Sequence, residues 1–197
     1  MTLILCLVLH LCDGGYPQYI ITAAAQLKND KETIKNKFFS LYNMILNYWF
    51  PSSEYFNVCP KWTIPSCERP DDFSIDFVIE HHNYPFLLVE ISPPSDFQSF
   101  AGRRLAISQV IAHLDDIGPT NLHASHLYAI SAIGKRWRAC YAFSGSGGEG
   151  GQPVEGIAAK SSLQSPSPEC WNPDITSNDS WVAIQSIVET IKGYVAQ

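Results

Sequence analysis

Ser74-Ile75-Asp76-Phe77-Val78-Ile79-Glu80, the spacer His81-His82-Asn83-Tyr84-Pro85, and Phe86-Leu87-Leu88-Val89-Glu90-Ile91-Ser92 decide how this chain is read. The two outer runs are rich in β-formers, and the spacer is short enough for a hairpin. Each run carries an acid where a strand should be dry. Pairing them brings Asp76 and Glu90 near one another. Two carboxylates withdrawn from water repel each other and lose hydration, so such a pair needs compensation. A divalent cation is one source of it. The alternative is a plain hairpin whose acids face solvent or meet Arg103, Arg104 or Lys61.

Working outward, Pro93-Pro94 ends the second run, because proline cannot donate to a ladder. Residues 100–117 follow as a helix with Leu105, Val110, Ile111 and Leu114 as its stripe, closed by Gly118-Pro119. Residues 127–133 and 137–143 read as a second hairpin around Gly134-Lys135. Alternation there places Trp137 in the core and Arg136 and Arg138 outward. Upstream, Ile34, Phe38, Tyr42, Ile45, Leu46 and Trp49 recur at helical spacing, predicting a helix over 31–49 that Pro51 stops. Lys28, Lys31, Lys35 and Lys37 read as its solvated basic face. Residues 52–70 are irregular, with room for a short edge strand over 55–59 or 61–64.

The domain reading has four parts: an apolar N-terminal segment over 1–28, an α/β core over 29–143, a flexible Gly/Ser/Pro-rich segment over 144–177, and a C-terminal amphipathic helix over 178–197. Trp181, Ile184, Ile187, Val188, Ile191 and Tyr194 define that helix, with Asn178, Asp179 or Ser180 as its cap. The glycine run within 144–153 lacks a following Lys-Ser/Thr and is not a phosphate loop.

Five Trp, nine Tyr and ten Phe in 197 residues supply a sizeable core. The net charge of −6 argues against bulk electrostatic attraction to nucleic acid or anionic membrane, although local basic patches escape that objection. Six cysteines are loosely spaced, Cys59 and Cys67 could bridge a loop, and the absence of any C-x-x-C pair counts against a zinc ribbon. The apolar run over 2–12 is too short to span a bilayer. It reads as a signal segment, a buried element or a misplaced start; an intracellular protein with reduced thiols is the expectation.

The order helix, strand, strand, helix, strand, strand places Asp76 and Glu90 on neighbouring strands beside the bend at Pro93. Here the chain resembles the PD-(D/E)XK nuclease-like superfamily over roughly residues 31–143. Pro70-Asp71-Asp72 followed by Asp76 echoes the first half of the motif. Glu90-Ile91-Ser92 stands where the family has Glu/Asp-x-Lys, and the helix with Ser108, Gln109 and His113 looks like the family's glutamine-bearing helix. Leu88-Val89-Glu90-Ile91-Ser92-Pro93-Pro94 followed by Gly102-Arg103-Arg104 is also similar to fungal members.

The resemblance implies a mixed central sheet flanked by helices, with Asp76 and Glu90 holding Mg²⁺ or Mn²⁺ for phosphodiester cleavage of nucleic acid. Gln109 would orient a ligand or water. Ser92 departs from the pattern: a neutral hydroxyl cannot replace an ammonium. Arg103 or Arg104 is the candidate substitute; otherwise the fold is a degenerate module that binds nucleic acid or protein.

Overall fold

A two-residue turn decides the central hairpin. His82 and Asn83 adopt φ of 51° and 68°, the left-handed pair that matches the twist of two antiparallel strands. On either side run β2 (Ser74–His81) and β3 (Tyr84–Ser92). The computed structural model describes residues 15–27, 35–63, 74–117, 126–143, 158–159 and 166–195. The motif residues Pro70-Asp71-Asp72, Cys67 and the apolar run over 2–12 lie outside them.

Chain order runs α1 (Gln18–Ala25), α2 (Asn36–Trp49), β1 (Phe56–Thr63), β2, β3, α3 (Phe100–Ile117), β4 (His126–Ile133), β5 (Arg136–Phe143), the two-residue β6 (Ala158–Ala159) and α4 (Asn178–Val195). The strands lie side by side in sequence order. β1, β2 and β3 are antiparallel, β3 and β4 are parallel across the α3 crossover, and β4 and β5 are antiparallel. The result is an α/β protein with a mixed sheet. Among the described residues no helix is long and apolar enough to cross a membrane.

Both faces of the sheet are covered, so its central strands are buried on both sides. One face, carrying Phe77, Ile79, Leu87, Val89, Ile91 and Tyr128, joins the core containing residues of α1, α2 and α4. The other, carrying Val78, Leu88, Leu127, Ala129 and Cys140, packs with Ala106, Ile107, Val110, Leu114 and Ile117 of α3. Long-range polar ties hold the layers: Tyr42 Oη donates to Gly134 O at 3.0 Å, and Trp137 Nε1 to Ser180 Oγ at 2.8 Å.

Several expectations shift in the folded chain. α3 has the expected bounds, but Leu105 is exposed and the buried stripe runs through Ala106, Val110, His113, Leu114 and Ile117. β1 is a full edge strand that tolerates Pro60, since an edge has spare ladder positions. Trp137 is buried as expected, yet Arg138 is buried too, its guanidinium 5.9 Å from the Trp171 ring centre. The cause lies in the segment expected to be loose. Trp171 and Ile175 are buried, and Asn172 exchanges backbone hydrogen bonds with Trp137. Ser177 precedes α4 and its Oγ accepts the Ser180 N–H at 3.2 Å, so the capping side chain lies one residue upstream of those expected.

Candidate active site

Register brings the two acids together. Phe77 pairs with Val89, so the next step along the two antiparallel strands sets Asp76 beside Glu90. Strand alternation puts Asp76 with Val78, and Glu90 with Leu88, on the face covered by α3. Both acids are buried, at 4% exposure each.

The regular β2–β3 pairing stops at Phe77 and Val89, and the acids take over from there. Ile91 N–H donates to Asp76 Oδ2 at 2.9 Å, and Asp76 N–H reaches Glu90 Oε2 at 3.4 Å. Each carboxylate thus accepts a backbone donor from the opposite strand, satisfying groups that a continued ladder would have paired. The two acids hold the sheet together at the point where it opens.

Charge comes from outside the motif. Lys35 Nζ, one residue before α2, lies 3.0 and 3.1 Å from the two oxygens of Asp76 and 3.9 Å from Glu90 Oε1. On the other side, His113 Nε2 of α3 lies 3.5 Å from Glu90 Oε2. Burial, then the negative charge of Asp76, pushes the Glu90 carboxyl up to about 8, against the pull of Lys35 and the Asp76 N–H. Burial lowers the His113 imidazole below its ordinary value, which favours the neutral ring.

The remaining expected residues fall elsewhere. Arg103 donates from Nε to Pro166 O at 2.6 Å and from a terminal nitrogen to Phe97 O, so its guanidinium holds loop carbonyls. Arg104 is exposed on the opposite side of α3, lining a groove of about 430 Å³ with Phe100, Ile107, Ser108, Ile111 and Pro166. Gln109 is exposed, one helical turn before His113 and on the same side of α3. Ser92 is buried at the end of β3, and its carbonyl accepts the Gly134 N–H at 3.0 Å. Lys61 is exposed on β1, and Glu80 sits at the other end of β2, accepting the Cys59 thiol at 3.4 Å.

Sequence reasoning read Lys35 as part of a solvated face and did not single out His113 as a partner of Glu90. Lys35 carries no local mark separating it from Lys37. His113 does: it is the polar member of an otherwise apolar buried stripe.

The donor set suits a hard cation. Two carboxylates converge at one point, where burial first and the charge of Asp76 second raise the Glu90 carboxyl against the pull of Lys35. Mg²⁺ is commonly held by one or two carboxylates and completes its shell with water and phosphate oxygens. Among the described residues no group of three or more His, Cys, Asp and Glu could hold a metal, which leaves no soft or fully protein-built site there.

A scan against protein-family models, a search of curated proteins and a search of solved structures found no match to this chain. Fold and site together define a mixed α/β protein with a buried carboxylate pair bridged by one lysine.

Proposed function

We propose that this chain is a PD-(D/E)XK nuclease-like phosphodiesterase acting on nucleic acid, in which Asp76 and Glu90 hold Mg²⁺ or Mn²⁺ and Lys35 takes the part of the missing motif lysine. The observation that carries the reading is Lys35 Nζ at 3.0 Å from Asp76 and 3.9 Å from Glu90. Support also comes from the order α2, β1, β2, β3, α3, β4, in which the acids lie on the neighbouring inner strands β2 and β3.

A bound divalent cation would supply an activated water and charge stabilisation at the phosphate. The chain's own part is distinct. Asp76, fixed by the Ile91 N–H, presents a rigid carboxylate. Lys35, partly exposed at 41%, can reach both the pair and a phosphate oxygen entering from solvent. Gln109, on the His113 side of α3, is the residue proposed to orient water or ligand.

One observation favours a second reading. Lys35 already contacts both Asp76 oxygens, which suits an ammonium serving as permanent counter-ion in a degenerate module that binds nucleic acid or protein. Calorimetric titration of Mn²⁺ into the parent and Glu90→Ala, followed by cleavage assays with Lys35→Ala, separates the two. Saturable binding lost in Glu90→Ala, with cleavage lost in Lys35→Ala, supports the enzyme. No binding in the parent eliminates it and leaves the counter-ion reading.

A further inference from the structure

His113 occupies a place that packing alone would give to an apolar residue. It lies on the buried stripe of α3, 8% exposed, between Val110 and Leu114. Its Nδ1 is buried with no hydrogen-bond partner among the described residues. A buried polar atom left unpaired costs about 1–3 kcal/mol, and a leucine there would avoid it. The ring's one polar contact toward the acids is Nε2, 3.5 Å from Glu90 Oε2.

Glu90 is held loosely from each direction. Oε2 receives the Asp76 N–H at 3.4 Å and faces His113 at 3.5 Å, while Oε1 faces Lys35 at 3.9 Å. All three distances are at or beyond the long end of hydrogen bonding. Asp76, by contrast, is gripped at 2.9 to 3.1 Å from both sides. Glu90 is the carboxylate whose orientation needs help, and the imidazole is the side chain that α3 brings to it.

The geometry points to His113 as a positioning residue: its Nε2–H holds Glu90 Oε2 on the Asp76 side and leaves Oε1 turned toward the cation-binding point at Lys35. A neutral imidazole donating to an acid presents one nitrogen as donor and leaves the other as a bare acceptor, which is the pattern of a partnered Nε2 and an orphaned Nδ1. Outer partners of this kind fix the direction of a cation-binding carboxylate, and their loss costs about 10–100-fold in metal affinity. The metal aspect of this inference rests on the proposed function; the hold on Glu90 does not.

The test uses the full chain, its His113→Leu and His113→Gln variants, and two readouts. The first is Mn²⁺ affinity by calorimetry. The second, in metal-free protein, is hydrogen exchange of the Asp76 amide, whose acceptor is Glu90 Oε2. For His113→Leu we expect affinity to fall about 10–100-fold and Asp76 exchange to quicken about tenfold, with Val78 and Leu88 amides unchanged. His113→Gln, which keeps a side-chain N–H donor, should recover most of both. Affinity and Asp76 exchange unchanged in His113→Leu would overturn the inference, as would equal acceleration at Val78 and Leu88, which marks general loosening. If the parent binds no Mn²⁺, the enzyme reading fails, and Asp76 exchange alone decides for or against His113.

Discussion

Lys35 and Asp76 stand 41 positions apart in sequence and 3.0 Å apart in the fold. This contact turns a pair of buried acids into a locally compensated cluster. Its energetic weight lies between two regimes. Asp76 is nearly buried, whereas Lys35 keeps 41% of its side chain exposed. Exposed pairs contribute about 0–1 kcal/mol, while removing one partner of a buried pair costs about 3–5 kcal/mol.

Lys35→Met should therefore destabilise the metal-free protein by about 1–3 kcal/mol, between those limits. The urea midpoint measures it. No change would mean that solvent compensates the acids without the lysine. The same variant should bind Mn²⁺ at least as tightly as the parent under the enzyme reading, because a competing cation has been removed.

Stability should depend on pH through Glu90. Its carboxyl is raised from 4.5 to about 8 on folding, by burial first and by Asp76 second. Its stabilising contribution is complete below about pH 4.5 and is lost as pH rises through about 8. His113 is shifted the other way, so its contribution is present above 6.5 and lost as pH falls through its lowered value. Between pH 6.5 and 8 the Glu90 effect is clear of the His113 effect. Urea midpoints should fall across that window in metal-free buffer, and Glu90→Gln should flatten the slope. A parent midpoint flat from 6.5 to 8 would contradict the raised carboxyl.

Gly102 should not tolerate a side chain. A Cβ there would meet the Asp96 backbone, with Cα at 2.7 Å and the carbonyl carbon at 2.8 Å. Backbone cannot swing aside as a flexible side chain does. Gly102→Ala should cost about 1–3 kcal/mol, despite alanine's better helix propensity. Gly193 of α4, with nothing among the described residues within 4 Å of its Cβ position, is the control; Gly193→Ala should be neutral or stabilising. Equal midpoints for the two variants would refute the close approach of α3 to the turn before it.

Thiol labelling should distinguish two cysteines. Cys170 is exposed, whereas burial and then the charge of Glu80 push the Cys59 thiol up to about 11. With iodoacetamide at pH 8, mass spectrometry should find Cys170 modified well before Cys59, since the thiolate is the reactive form. Glu80→Gln should speed Cys59. Equal rates in the parent would argue against the Cys59–Glu80 contact.

The sequence by itself determined the elements whose signal is local. The apolar, β-forming runs on either side of the spacer over 81–85 specify the central hairpin, the helical stripe closed by Gly118-Pro119 specifies α3, and Gly134-Lys135 specifies the second hairpin. That the two runs pair was legible, but the register that sets Asp76 beside Glu90 was not: counted from the turn Asp76 would face Val89, and a bulge between Ile79 and Glu80 moves it opposite Glu90. Nor were the partners of those acids legible. Arg103 and Arg104 are close to Glu90 in sequence, but one holds the Phe97 and Pro166 carbonyls and the other lies on the far side of α3. Lys35 and His113 reach the acids only because α2 and α3 pack as they do. Arg138 is buried and meets the Trp171 ring, which comes from the segment expected to be loose. Periodicity and turn chemistry act over a few residues and are written in neighbouring letters. Which charge meets a buried carboxylate depends on how whole elements pack, and that tertiary structure alone decides.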